Sequence, residues 1–259
     1  SRPNELCDKP PQQEALKRMF AGAGHESRID MYQADDEGVD RMRRHYYANI
    51  TTVDEKTDQI LDALEEHGYL ENSLVIFCSD HGEMLGDHSL AYKWLMYDPI
   101  THIPLIIRYP NMARQGTQVE DLVSLIDLGP TILEAAGLTV PTHLEGRSLL
   151  PYSDQAEARL VSPREYVFCE DNYQIMMRSR THKMVYYIGQ EAGELYDLTN
   201  DADELWNLWT DPKHAEIKTK LLTRLLDWMA SSVYWNAGYR RDRSRTYTMR
   251  WPSPENQNL

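Results

Sequence analysis

The stretch SDHGEMLGDHSLAYK (residues 79–93) places Asp80, His81, Glu83, Asp87, His88 and Lys93 directly after the apolar run LVIFC. That is more charge than a turn needs, and loops at the carboxyl ends of strands are where open α/β sheets bind their ligands. Asp80 and His81 are adjacent. A carboxylate beside an imidazole suits a divalent ion such as Ca2+, Mg2+ or Mn2+, although two ligands cannot complete a coordination shell. Gly82 and Gly86 allow sharp turns and close approach to a ligand. Lys93 follows Asp80 by thirteen positions (93 − 80), far enough for the loop to fold back and aim an ammonium at a metal-bound group. A metal ion and a lysine together would neutralise a tetrahedral oxyanion such as sulfate or phosphate. By residue type alone, an Asp-His pair in a loop is more often solvated or turn-forming, and a single lysine more often a surface charge. Metal binding is therefore one of several readings at this point.

The flanking elements must position this loop. Over residues 40–67, Tyr46, Ile50, Val53, Thr57, Ile60 or Leu61, and Leu64 recur at steps of three and four, and Gly68 supplies a stop. That spacing predicts a core helix. SLVIFC is short and β-branched and predicts a buried parallel strand, with Cys78 as a small core residue. A second strand, IPLIIRY, begins near Ile103. LVSLIDLGPTILEAAG predicts a short helix with Asp127 as N-cap, Pro130 in the first turn and Gly137 past its end. Residues 1–38 are rich in Pro, Gly and charge and read as loop with one short helix near Glu14–Phe20.

Helix, strand, polar loop, strand, helix is the rhythm of an α/β layered sheet. After about Leu150 the character changes. Shorter strands with alternation in YQIMMRSRTHKMVYY, turns at EDN and GQEAG, and a helix near Ala215–Ser231 predict a small antiparallel α+β unit. The expected division is residues 1–155 and 156–259.

The 259 residues are 41% apolar and 10% aromatic, as in ordinary globular chains. A formal charge of −14 argues against a nucleic-acid partner. No apolar run approaches the roughly 20 residues of a membrane span. The opening SRPNELCDKPPQQ lacks the apolar core of a secretory signal, and the compartment stays open. Cys7, Cys78 and Cys169 are too few and too scattered for a disulfide framework or a zinc cluster. The tail YRRDRSRTYTMRW interleaves arginines with aromatics. On an acidic protein this reads as an oligomer arm or a charged surface strand ahead of a single-strand nucleic-acid contact, so a homo-oligomer is kept in view.

The segment HYYANITTVDEKTDQILDALEEHGYLENSLVIFCSDHGEMLGDHSLAYKWLMYDPITHIPLIIRYP, followed by SLIDLGPTILEAAGL, EGRSLLP and GELYDLTNDADELWNL, resembles the sulfatase family of the alkaline-phosphatase superfamily over about residues 43–210. The resemblance implies the C-terminal part of an alkaline-phosphatase-like layered sheet with helices, then a small antiparallel α+β subdomain. It makes Asp80 and His81 two metal ligands, with Ca2+ the first choice and Mn2+ or Mg2+ the alternatives. It makes Lys93 the catalytic, substrate-binding cation that contacts the sulfate and the ester oxygen. His88 falls at a recurrent position near the pocket, as a substrate contact or as support behind one. His102 in THIP is read as mainly structural.

Asp58 stands where many members have glycine, and Ala202 where they have proline. The larger departure concerns the formylglycine nucleophile, made in the family from the Cys or Ser of a C/S-x-P/A-x-R motif. Around Cys7, Lys9 and Pro11 occupy the third and fifth positions, and SRPNE places Glu5 in the arginine position. The reading is therefore a formylglycine- and metal-dependent sulfuric ester hydrolase whose nucleophile lies in an N-terminal half, acting on a sulfate-ester small molecule or sulfated glycan. Its rivals are a phosphonate monoester or phosphodiester hydrolase of the same superfamily, and a non-catalytic chain that acts only with an N-terminal half.

Overall fold

Pro11 stands at the first position of α1 (Pro11–Gly22), where its missing N–H leaves no helical bond unmade. The helix contains the expected Glu14–Phe20 turn. The computed structural model describes residues 5–22, 30–110, 116–171 and 173–241; most of the arginine-rich tail lies outside them. The backbone of Asp35 is extended and its carboxylate accepts the Gly38 N–H at 2.8 Å, which starts α2 (Asp36–Glu66). No residue of this 31-residue helix is buried. Tyr47, Ile50, Val53 and Ile60 are each more than half exposed. The stripe predicted as core is thus uncovered by the described residues. Periodicity reports a face suited to burial and does not say which element covers it.

β1 (Val75–Cys78) emerges where LVIFC predicts a strand. It pairs with β2 (Leu105–Arg108), separated from it by the short α3 (Asp98–Thr101). The pairing is antiparallel, Val75 opposite Arg108 and Cys78 opposite Leu105, which corrects the parallel expectation. Cys78 is exposed rather than core, and Ile106 on β2 is 64% exposed. An apolar run signals a strand suited to burial on both faces but carries no information about its neighbour's direction.

Asp127 precedes α4 (Leu128–Ala135), but its fully buried carboxylate does not cap that helix. It accepts the backbone N–H groups of Ser124 and Arg147, both at 2.8 Å, and pairs two-pronged with Arg164 at 2.7 Å per bond. Gly137 follows the helix with φ +70, as a stop signal should. The one-turn α5 (Gln155–Ala158) leads to a meander of β3 (Val167–Asp171), β4 (Gln174–Arg178), β5 (His182–Tyr187) and β6 (Gly193–Asp197). The final helix, α6 (Ala215–Arg241), extends past the expected Ser231.

Strand alternation divides this sheet into two unlike faces. One carries Ile175, Met177, Met184 and Leu195 and is covered by Leu221 and Leu225 of α6, with Phe168 stacked on Trp228 at 4.1 Å. The other carries Gln174, Met176, Arg178, Lys183, Val185, Tyr187, Glu194 and Tyr196. It too is buried, because residues 84–100 lie across it. Met96 packs with Met176, Val185 and Tyr187, and Tyr196 joins Met84, Leu90, Leu95, Tyr97 and Ile100.

Charges in this second face are paired. Lys183, with no exposed surface, places Nζ 2.5 Å from Asp98 Oδ1, 2.6 Å from Glu204 Oε1 and 3.0 Å from the Met96 carbonyl oxygen. Arg178 grips Asp98 as a fork, at 3.2 and 3.0 Å. Burial works to raise the Asp98 carboxyl, but Lys183 and Arg178 together outweigh it and hold it below the ordinary aspartate value. For Glu204 burial wins, and its carboxyl is raised.

Replacing Lys183 by Met strands two carboxylates and should cost about 3–5 kcal/mol, read as a lower urea midpoint. The two carboxylates act on pH stability with opposite sign. Asp98, depressed, stabilises above the ordinary 3.8 and loses that contribution as pH falls through its lowered pKa. Glu204, raised, contributes below the ordinary 4.5 and loses it as pH rises through its raised pKa. Asp98→Asn should therefore flatten the acid limb of the stability curve, and Glu204→Gln should flatten the decline on its alkaline side.

Candidate active site

The chain leaves β1 at Cys78 and turns at once. The Ser79 hydroxyl donates to the His81 carbonyl oxygen at 2.7 Å, and the His81 N–H donates to Asp80 Oδ1 at 3.0 Å. His81 Nδ1 lies 2.8 Å from the Gly82 carbonyl oxygen. A carbonyl only accepts, so Nδ1 carries a proton, and Nε2 is turned toward Asp80 and Lys93. Asp80 Oδ2 is 3.4 Å from Nε2, and Lys93 Nζ is 2.6 Å from it. The pair at the strand end and the lysine thirteen residues later thus meet at one nitrogen.

Two glycines let the loop close. A Cβ on Gly82 would stand 1.9 Å from the Pro99 carbonyl oxygen, because the Gly82 N–H bonds the Ile100 carbonyl at 2.8 Å. Gly86 has φ +92 and faces Val39 of α2, where a Cβ would come within 2.7 Å. Nearby, Arg43 of α2 donates to the Leu85 carbonyl and to Asp87, both at 2.8 Å.

Between these anchors Leu85, His88, Ser89, Tyr92 and Trp94 all adopt positive φ. Each such residue costs of order 1–3 kcal/mol, and the conformation persists only where surroundings enforce it. The Glu83 carboxylate accepts the Tyr92 N–H, and the Gln174 amide donates to the Trp94 carbonyl at 2.8 Å. Lys93 is therefore bracketed by a side-chain hydrogen bond on each neighbour. Further along, Lys183 holds the Met96 carbonyl, and Glu204 accepts the Asp98 N–H at 2.6 Å.

The Asp80 carboxyl is held below the ordinary aspartate range, first by the His81 N–H, with burial opposing weakly and the His81 ring and Lys93 adding to the depression. The Asp80 carboxylate and His81 Nε2 are an oxygen and a nitrogen donor of the kind a divalent cation takes. Lys93 stands on the Nε2 side, so a bound cation would displace its ammonium from Nε2. Among the described residues no group of three or more His, Cys, Asp or Glu side chains could hold one. Hard cations take about six or more ligands, so the pair fits part of a coordination shell. Grooves of about 470 Å3 along α2 and about 410 Å3 beside α6 include none of the three residues. Asp80 is largely exposed, whereas His81 and Lys93 are half-buried.

His88 sits elsewhere. It is 4% exposed, and its ring stacks on Tyr97 at 3.9 Å beneath the loop, a position suited to support rather than to contact with a ligand. His102 is exposed at the end of α3, where its N–H bonds the Asp98 carbonyl. Cys7 is exposed, and Lys9, in the proline position of the failed nucleophile motif, is buried against Tyr196 and the Glu204 carbonyl at 3.0 and 2.8 Å. Gln174, Lys183, Arg178, Asp98 and Glu204 also hold the loop, and nothing in their local sequence marks them for it. On strands at alternating positions, charged residues read as a solvent face.

Gly82→Ala tests the loop closure. It should destabilise by about 1–3 kcal/mol, the range for overpacking, and separate Lys93 from His81. Thermal unfolding measures the first effect and the 15N shift of His81 Nε2 the second.

The Sulfatase family matches residues 3–138, and the family N-sulphoglucosamine sulphohydrolase, C-terminal, matches residues 86–231. Arylsulfatase K of Xenopus laevis is 33% identical over 215 residues, 77% of this chain and 40% of its own length. N-acetylglucosamine-6-O-sulfatase of Bacteroides thetaiotaomicron is 30% identical over 194 residues, 71% of this chain and 35% of its own length. Among solved structures, a phosphonate monoester hydrolase from Silicibacter pomeroyi superposes with a TM-score of 0.78 at 26% identity, over 90% of this chain and 49% of that one. The chain spans half or less of the length of each of these relatives.

Proposed function

The chain belongs to the sulfatase family, and from that premise we propose that it is the C-terminal part of a sulfuric ester hydrolase, supplying part of the metal site and the substrate-binding cation. The observation that carries this reading is the convergence of Asp80 Oδ2 and Lys93 Nζ, at 3.4 and 2.6 Å, on His81 Nε2. Asp80 and His81 would hold a divalent cation, Ca2+ by preference, which when bound supplies positive charge to polarise the ester oxygens. Lys93 offers ammonium donors to the sulfuryl oxygens and the leaving oxygen. The Glu83 and Gln174 bonds on either side fix its backbone, so little reorganisation is needed when charge develops.

The formylglycine nucleophile and the remaining carboxylate ligands are assigned to an N-terminal half. The uncovered stripe of α2 and the half-exposed β1–β2 ladder support this, since contiguous exposed apolar faces mark interaction surfaces. The substrate class is a sulfated saccharide, supported by the relative named N-acetylglucosamine-6-O-sulfatase.

A sulfate-ester assay tests the assignment. The 259-residue chain alone should show no turnover above background, because a nucleophile must reach within about 3–3.5 Å of sulfur. Adding the matured N-terminal half should restore turnover, and a chelator should remove it. In the restored enzyme Lys93→Ala should lower the rate by about 10² or more, as loss of one preorganised oxyanion partner does. Robust metal-dependent turnover by the lone chain, or an unimpaired Lys93→Ala enzyme, would sink the reading.

The TM-score of 0.78 to a phosphonate monoester hydrolase supports a second reading, phosphonate or phosphate ester hydrolysis at the same residues. Relative rates on sulfate and phosphonate esters sharing one leaving group separate the two.

A further inference from the structure

We propose that Trp94 is a specificity-determining residue, whose indole face receives the pyranose ring of a sulfated sugar while Lys93 holds the sulfate. The inference rests on the reading of Lys93 given above and adds what binds beside it. Adjacent side chains on an extended segment point to opposite sides. Here the left-handed backbone of Tyr92 and Trp94, at φ +69 and +80, places the Lys93 ammonium over the Trp94 ring, 5.5 Å from its centroid.

Packing accounts for one of these strained residues and not the other. Tyr92 is half-buried and meets Phe20 with ring centroids 4.5 Å apart. Trp94 is 48% exposed, although its flanking neighbours in the loop, Leu95, Met96 and Tyr97, are all buried. Its position is nonetheless fixed, because its carbonyl oxygen accepts from Gln174, a side chain that is itself 7% exposed, at 2.8 Å. A strained, tethered and outward-facing indole next to an anion-binding ammonium is a recognition surface rather than a core residue. Its chemistry suits a ligand with an apolar ring face and a negative group two or three bonds from that ring. A sulfated pyranose has both, the C–H face for the indole and the sulfate for Lys93.

Saturation-transfer NMR on the 259-residue chain tests this with D-glucosamine 6-sulfate, ethyl sulfate, phenyl sulfate and inorganic sulfate as probes. Saturation should reach the sugar's ring protons. Trp94→Ala should weaken binding of the sugar sulfate by about 3- to 10-fold, the worth of one aromatic contact, and Trp94→Phe should restore most of it. Ethyl sulfate and inorganic sulfate should bind Trp94→Ala as they bind the unaltered chain. Because Trp94 is half exposed and contributes its carbonyl rather than its ring to the fold, these variants should keep their thermal midpoints. Absence of transfer to the ring protons, or equal affinity of the sugar sulfate for the unaltered chain and Trp94→Ala, overturns the proposal. A greater Trp94 dependence for phenyl sulfate than for the sugar overturns the saccharide assignment. Should Lys93→Ala leave inorganic sulfate binding unchanged while Trp94→Ala still weakens the sugar, the ring contact stands and the sulfate-binding role of Lys93 falls.

Discussion

A single buried cation holds the molecule's working parts in place. Lys183 stands on β5 with no exposed surface and closes on Asp98, Glu204 and the Met96 carbonyl. Two of those three partners lie at the end of the loop that carries Lys93. Isolated, each charge would be costly to bury; together, with Arg178 on the other side of Asp98, they form a paired set. The same interaction thus stitches the four-stranded sheet to the loop at the end of β1. Gln174 repeats the arrangement four register positions along the β4–β5 ladder, donating from β4 to the Trp94 carbonyl. The antiparallel sheet is therefore part of the site's support, although none of its residues joins the Asp80–His81–Lys93 cluster.

Rigidity of this kind explains how the loop tolerates its backbone. Five non-glycine residues between Leu85 and Trp94 lie at positive φ. Such conformations survive only where hydrogen bonds and packing outweigh the strain, and here the weight comes from three directions. Arg43 of α2 holds Leu85 and Asp87, Glu83 holds Tyr92, and the sheet holds Trp94 and Met96. The consequence is electrostatic. A lysine whose neighbours are fixed presents its charge without first being ordered, which is how preorganised groups stabilise developing negative charge.

Two surfaces stand in contrast to this over-determined centre. The stripe of α2 and the ladder of β1 and β2 have the composition of buried elements and the exposure of surface ones. They fit a chain that spans less than half of its curated relatives' length.

The sequence by itself determined the strand at LVIFC, the helix over residues 40–67 with its stop at Gly68, the short antiparallel strands after about Leu150 and the presence of Asp80, His81 and Lys93 around one loop. These are local matters, legible from residue type, period and spacing. Only the tertiary structure decided that β1 and β2 run antiparallel, that Cys78 is exposed, and that His88 lies under Tyr97 rather than beside Lys93. It also decided that the alternating charges of β4 to β6 face inward. Alternation says that two faces differ, and a polar face is by default a wet one. That default failed at Lys183 because residues 84–100 fold back over the sheet and bring Asp98 and Glu204 to meet it. Partners distant in sequence, Lys183 from Asp98 by 85 positions, leave no mark in any local pattern, and only the folded chain shows that the charge is paired.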